Sequence, residues 1–159
     1  MYWRVTHSVY EKNKGDGNKK AFKKLVNSKI TPGIIAYVDG QPAGWCSFGP
    51  REDFQRLAGS RILEKVDDRP VWSIVCFFIA RPYRRKGLSV ALLKAAVDNA
   101  GSQGANIVEG YANDPANGIA PDTFVYTGLL SAFKKAGFIE VARRSKTRPI
   151  MRYHISRYQ

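Results

Sequence analysis

Residues 71–101 constrain what this chain can fold into more than any other stretch. They read VWSIVCFFIA, then RPYRRKGLS, then VALLKAAVDNAG. The first block is apolar and rich in β-branched and aromatic residues, the pattern of a strand buried on both faces. The last block is helical. Lys94 and Asp98, four residues apart, form its only clear polar strip, so most of its circumference is expected to be buried. Between them lies a short basic loop with Gly87. A strand, a glycine turn and a helix N-terminus make an anion site, because free backbone N–H groups point outward and the helix dipole adds positive character. Arg84, Arg85 and Lys86 strengthen it.

The arrangement Arg84-x-x-Gly87-x-Ser89 after a strand resembles the acyl-CoA loop of the Gcn5-related N-acetyltransferases, whose motif is Arg/Gln-x-x-Gly-x-Gly/Ala. Ser89 replaces the usual Gly or Ala; it is small enough to admit a phosphate, and its hydroxyl could donate to it. The buried helix that follows and a later Ala136-Gly137-Phe138 extend the resemblance over residues 33–145, leaving out the first 30. It implies one α/β (α+β) domain over residues 1–159, with a mixed, mostly antiparallel sheet of about six or seven strands and helices on both faces. It also implies acetyl-CoA as acyl donor, an amine as acceptor and no metal. The backbone of Phe78 and Ile79 would bond the pantetheine arm, and an N–H near Phe78 would polarise the carbonyl. The N–H groups of Arg84, Arg85, Lys86, Gly87, Leu88 and Ser89 would take the diphosphate. A homodimer is common in the resembled family.

Two positions depart from that family. Many members carry a tyrosine, the acid for the leaving thiolate, four residues before the glycine of the Gly-Phe pair; Phe133 stands there. Many carry an asparagine eleven residues before it; Tyr126 stands there. Tyr126 is therefore a candidate acid, with a pocket-lining tyrosine as the alternative. A lysine-like amine has a pKa near 10.4, so holding it neutral at pH 7 costs about 4 to 5 kcal/mol unless a base helps. Glu109 is the candidate base, since it interrupts an apolar strand beside the expected cleft, where desolvation would raise its pKa. Strands alternate faces, so Glu109 pointing to solvent or pairing with an arginine is the alternative. Asp114 and Asp122 are weaker candidates that also read as turn residues.

A length of 159 residues with 44% apolar and 25% charged content fits one domain with a real core. No apolar run is long enough to span a bilayer, and the first residues lack a secretory apolar core, so no membrane partner and a cytoplasmic location are expected. Cys46 and Cys76 sit in apolar strand-like runs and read as buried reduced thiols. With His7 and His154 they match no zinc spacing. The formal net charge of +13 exceeds what CoA needs, so a polyanionic partner or an acidic acceptor is expected.

The rest of the chain supplies the frame. A first strand is expected at 2–6, a loop at 11–18, and a helix at 19–28 capped by Asn18. Ala21, Phe22, Leu25 and Val26 would bury one face of it, with Lys19, Lys20, Lys23 and Lys24 largely on the other. Asp39-Gly40 between apolar runs predicts a hairpin of 34–38 with 41–48. One or two short helices are expected in 51–66, a strand at 105–111, a long loop at 112–122, a helix at 129–135 closed by Gly137, and strands at 138–142 and 150–155.

The reading is an acetyl-CoA-dependent N-acetyltransferase acting on a primary amine. Its rivals are a non-catalytic acyl-CoA sensor, supported by Phe133, and a basic nucleic-acid or ribosome-binding protein, supported by the lysines at 19–24 and the basic region 134–148.

Overall fold

The computed structural model describes residues 1–115 and 125–156. Six strands form one sheet: β1 (Gly33–Val38), β2 (Gln41–Pro50), β3 (Trp72–Ile79), β4 (Ile107–Tyr111), β5 (Ile139–Arg143) and β6 (Pro149–His154), in the spatial order β1-β2-β3-β4-β6-β5. Every neighbouring pair is antiparallel except β3 and β4, which are parallel. The expected mixed, mostly antiparallel sheet is therefore present. The β1–β2 turn has positive φ at Asp39 (49°) and Gly40 (74°), the two-residue geometry that suits a twisted hairpin. Pro42 falls within β2, beside a register shift at Ala36/Tyr37.

Among the described residues the α-helices are α1 (His7–Lys12), α2 (Asp16–Val26), α3 (Gln55–Ala58), α4 (Leu88–Ser102) and α5 (Leu130–Lys135). The larger core lies between the sheet and α4 with α5. Cys46, Phe48, Ile74 and Phe77 from the strands meet Leu92, Leu93, Ala96, Ala132 and Phe133 there. A smaller core on the opposite face joins Phe54, Leu57 and Leu63 to Val75, Tyr111 and Ile150.

Local signals fail in three places. Residues 2–6 are not a strand: they form turns leading to α1, whose N-cap Thr6 accepts a hydrogen bond from the Val9 N–H. Their aromatic residues pack on side chains instead, with Tyr2 edge-on to both Trp3 and Tyr10. α2 begins earlier than expected, after Gly15, and the Asn18 amide donates to the Tyr10 carbonyl rather than capping the helix. None of its residues is fully buried; Phe22 touches Trp45 edge-on while Val26 stays exposed, because only a narrow stripe meets the sheet. α4 is also less buried than its apolar composition suggests. Ala91 and Ala95 lie with Lys94 and Asp98 on the outer face, small enough to stand in water at little cost.

Candidate active site

β3 ends at Ile79, a single 3-10 turn follows at Arg81–Tyr83, and the loop then enters α4 through Gly87. Gly87 has φ 80° and its carbonyl accepts from the N–H groups of Val90 and Ala91. Arg85 has φ 60°, unusual for a residue with a side chain. Two left-handed residues around Lys86 curl the backbone tightly in front of a fifteen-residue helix, whose first N–H groups have no intrahelical partner. A Cβ on Gly87 would meet nothing within 4 Å, so its backbone angle, rather than crowding, calls for glycine. Arg84 Nε donates to the Ile79 carbonyl at 3.0 Å, tying the loop to the strand end. Arg85 and Lys86 are exposed; Leu88 and Ser89 are half-buried.

Beside this loop the sheet opens. β3 and β4 pair only where Trp72, Ser73 and Ile74 face Val108, Glu109 and Gly110. Beyond that point they part. The pairing of Ser47 with Cys76 and Phe48 with Ile74 leaves Val75 as an extra residue, a bulge that bends β3 away from its neighbour. The Phe77 N–H donates to the Tyr126 carbonyl at 2.6 Å, on the open side, while the Ala80 N–H donates to the Ala43 carbonyl within β2. Alternation along the strand then directs the backbone of Ile79 into the opening and that of Phe78 toward β2. The expectation for this strand shifts by one residue. Phe77 and Ile79 border the crevice, whereas Phe78 offers an exposed ring (60%) and not a crevice-facing N–H.

Glu109 is placed differently from either expected role of base or solvated residue. Its side chain is 1% exposed. Arg152 Nε donates to Oε2 at 2.8 Å, and Arg51 Nη1 and the Tyr111 hydroxyl donate to Oε1 at 3.2 and 2.8 Å. Arg152 continues to Asp67, and Tyr111 to Ser73. Two guanidiniums flank this one buried carboxylate, so its geometry is that of a strut inside the sheet. Pairing with an arginine, the alternative left open by the sequence, describes its surroundings. Arg51, Asp67 and Arg152 were not legible as its partners, since each is distant in the chain. Asp114 is also paired, 2.8 Å from Arg143 Nη1. Asp122 lies outside the described residues.

Tyr126 borders the crevice through its backbone carbonyl, which accepts from the Phe77 N–H. Its ring centroid is 6.5 Å from that of Trp3. Burial raises its phenol pKa; Tyr2 adds to the rise and Arg148 opposes it. Phe133 is fully buried, edge-on to Phe77 and Phe138, as an apolar core residue should be. Cys46 and Cys76 are free thiols, and burial pushes both above the ordinary thiol range.

The ion network predicts how stability follows pH. The hydrogen bonds of Arg152 and then Arg69 hold the Asp67 carboxyl well below its usual value. A depressed carboxylate stabilises the fold above the unfolded pKa of about 3.9, and that contribution is lost as pH falls through the folded value. Burial, then the Glu109 charge, pushes the Tyr111 phenol far above its usual value. Its contribution is full below the unfolded pKa of about 10 and is lost as pH rises beyond it. Denaturant unfolding against pH should therefore show a plateau between about pH 5 and 9 with losses on both sides. Asp67→Asn should flatten the acid limb and Tyr111→Phe the alkaline limb. Limbs unchanged in these variants would remove the network from the account.

Two concavities are open elsewhere on the surface. One of about 520 Å³ is lined by Arg51, Phe54, Leu57 and Glu64 among others, the second of about 450 Å³ by Met1, Arg4, Leu25 and Asp53 among others; neither adjoins Gly87. Among the described residues no helix is long and apolar enough to cross a membrane, and no group of His, Cys, Asp and Glu side chains converges as metal ligands would.

Known proteins agree with this architecture. The family model for the acetyltransferase (GNAT) family matches residues 3–120, well over half of the chain. The chain belongs to the GNAT acetyltransferase family. No curated protein sequence matches it. Among solved structures, a GNAT-family acetyltransferase from Streptococcus agalactiae 2603 superposes with a TM-score of 0.57 at 11% identity, covering 93% of this chain and 79% of that one. A ribosomal-protein-alanine N-acetyltransferase from Brucella melitensis gives 0.56 at 16% identity, over 87% of this chain and 77% of that one. A putative GNAT-family acetyltransferase from Desulfovibrio desulfuricans gives 0.55 at 16% identity, over 89% and 80%. At such identities the likeness shows the fold alone.

Proposed function

We propose that the protein transfers an acetyl group from acetyl-CoA to a primary amine. The observation that carries this reading is the left-handed Gly87 turn into α4, set beside a crevice where two parallel strands stop pairing. The turn offers converging N–H groups and the cations of Arg85 and Lys86 to a diphosphate. The crevice offers the backbone of Ile79 to an extended pantetheine arm and to the thioester carbonyl. In the reaction the neutral amine nitrogen bonds to the carbonyl carbon, the C–S bond breaks, and the departing thiolate takes up the proton that the nitrogen loses.

Tyr126 is the group proposed to relay this proton: its phenol donates to the thiolate and is restored by the proton that the nitrogen loses. Burial raises its pKa, so it carries that proton at neutral pH. Tyr126→Phe should lower kcat by about 100-fold with little change in KM. An unchanged kcat would leave Tyr126 as a wall of the pocket.

The test is release of free CoA thiol from acetyl-CoA over a panel of primary amines. Thiol release that requires one class of amine supports the reading. Binding of acetyl-CoA with no turnover on any amine would favour a sensor instead. The net charge of +13 disfavours polycationic acceptors, which should be the poorest of the panel. A second reading, contact with a polyanion, is favoured by Lys19, Lys20, Lys23 and Lys24, all exposed on α2. It predicts RNA binding that falls steeply with salt.

A further inference from the structure

Among the described residues, four buried side-chain polar atoms lack a hydrogen-bond partner: Trp3 Nε1, Arg56 Nη2, Thr127 Oγ1 and Arg148 Nε. They gather around Tyr126. Trp3 contacts its ring, Thr127 follows it in the chain, and the charges of Arg148 and Arg56 both act on its hydroxyl. Native proteins leave few such atoms unpaired, so four on residues that neighbour Tyr126 call for a cause.

The surroundings hold the two arginines without neutralising them. Arg56 lies over the Tyr2 ring, 3.7 Å from the centroid, with Nε donating to the Val5 carbonyl at 3.3 Å. Its backbone N–H donates to the Trp3 carbonyl. Arg148 donates from Nη2 to the Tyr111 carbonyl at 3.4 Å, at the end of β4 where the crevice opens. Neither has a carboxylate within 4.0 Å among the described residues, although Arg4, Arg51, Arg143, Arg144 and Arg152 each have one. A partly buried guanidinium without a counter-charge is costly unless something anionic completes it. Three of the four orphan atoms are pure donors, and the fourth is a hydroxyl able to donate. Their complement is an acceptor-only group.

We propose that Arg56 and Arg148, with the Trp3 indole N–H and the Thr127 hydroxyl, bind a single anionic group, carboxylate or phosphate, carried by the acceptor amine. This rests on the acetyl-transfer reading and deepens it. The substrate is a small amine with an acidic group, and the anion is held at the crevice mouth so that the amine points toward the backbone of Phe77 and Ile79. Arg56 Nε and Arg148 Nη2 are already bonded to backbone carbonyls, so each guanidinium offers its one orphan N–H to the oxyanion.

The experiment has two arms. In the first, acetyl transfer is measured for matched amines: an α-amino acid, its carboxamide, the amine lacking the carboxylate, and the aminophosphonate. The anionic members should exceed the neutral ones in kcat/KM by about 30-fold or more, and whichever anionic member leads identifies the group. Arg148→Gln and Arg56→Gln should shrink that ratio to a few-fold, with Arg148→Lys in between. In the second arm, inorganic phosphate and N-acetylglycine are titrated against tryptophan fluorescence without acetyl-CoA, with Trp3→Phe as the control. Binding to the unmodified protein that weakens in the arginine variants supports the site. Transfer that proceeds with neutral amines as well as acidic ones, or a ratio unchanged in folded arginine variants, overturns it and leaves the transferase intact. Anion binding that depends on Arg148 without transfer to any amine keeps the site and removes the transferase. If Arg148→Gln fails to fold, the Arg148→Lys variant and the matched amines on the unmodified protein decide.

Discussion

Glu109→Gln should lower the stability of the fold by about 3 to 5 kcal/mol, the range found when one member of a buried ion pair is removed. The amide keeps the size of the carboxylate but not its charge. Arg51 and Arg152, 6% and 2% exposed, would then face each other across an uncharged group. Asp67 still pairs with Arg152 at 2.7 Å, yet it lies nearer the surface and cannot serve Arg51 as well. For a chain of this size each kcal/mol moves the midpoint by roughly 2 to 4 °C, so a fall of about 6 to 20 °C is expected. Loss of activity in this variant should track loss of fold at any temperature. A Glu109→Gln protein with unchanged melting but a kcat much reduced at neutral pH, its acid limb gone, would restore Glu109 as a proton acceptor.

Gly110→Val should be nearly as damaging, for a steric reason. A Cβ at residue 110 would meet the Phe133 ring edge (Cε1 and Cζ) far inside van der Waals contact. Gly110 pairs with Ile74 on one side and Met151 on the other, so the strand has no free direction in which to move. Phe133 is itself fully buried between Phe77 and Phe138. Something in this cluster must leave its rotamer, and a cost of about 3 kcal/mol is expected, at the top of the usual range for overpacking. Because Phe77 borders the crevice, acetyl-CoA affinity should drop with stability. Gly110→Val together with Phe133→Ala, which opens the space, should recover part of the loss. No recovery would place the strain elsewhere.

These two positions also show what the sequence disclosed. The strand, basic turn and helix of residues 71–101 were legible because each signal is local: β-branched residues, a glycine and a 3.6-residue period. The hairpin at Asp39-Gly40 was legible for the same reason. Phe133 as an apolar residue was plain, but its contact with Gly110 was not. The surroundings of Glu109 were out of reach, because Arg152, Arg51 and Asp67 join one network from positions tens of residues apart. The same is true of the Arg56 and Arg148 pair. Residues 2–6 misled in the other direction: Tyr2, Trp3 and Val5 have the composition of a strand, while the two rings are spent on Tyr10, Arg56 and Tyr126. Periodicity reports which side of a segment is apolar, and only the packed chain decides what that side meets.

The most direct test of the acyltransferase reading is a calorimetric titration of acetyl-CoA into the unmodified protein and into Gly87→Trp. Gly87→Trp forces a bulky side chain onto a left-handed residue at the helix entrance, costing about 1 to 2 kcal/mol in stability, and sets an indole where the diphosphate would lie. Saturable binding of one acetyl-CoA per chain that persists in high salt is expected, with its loss in the variant while the variant remains folded. Binding that is equally strong in Gly87→Trp, or no binding to the unmodified protein at any salt concentration, would contradict it.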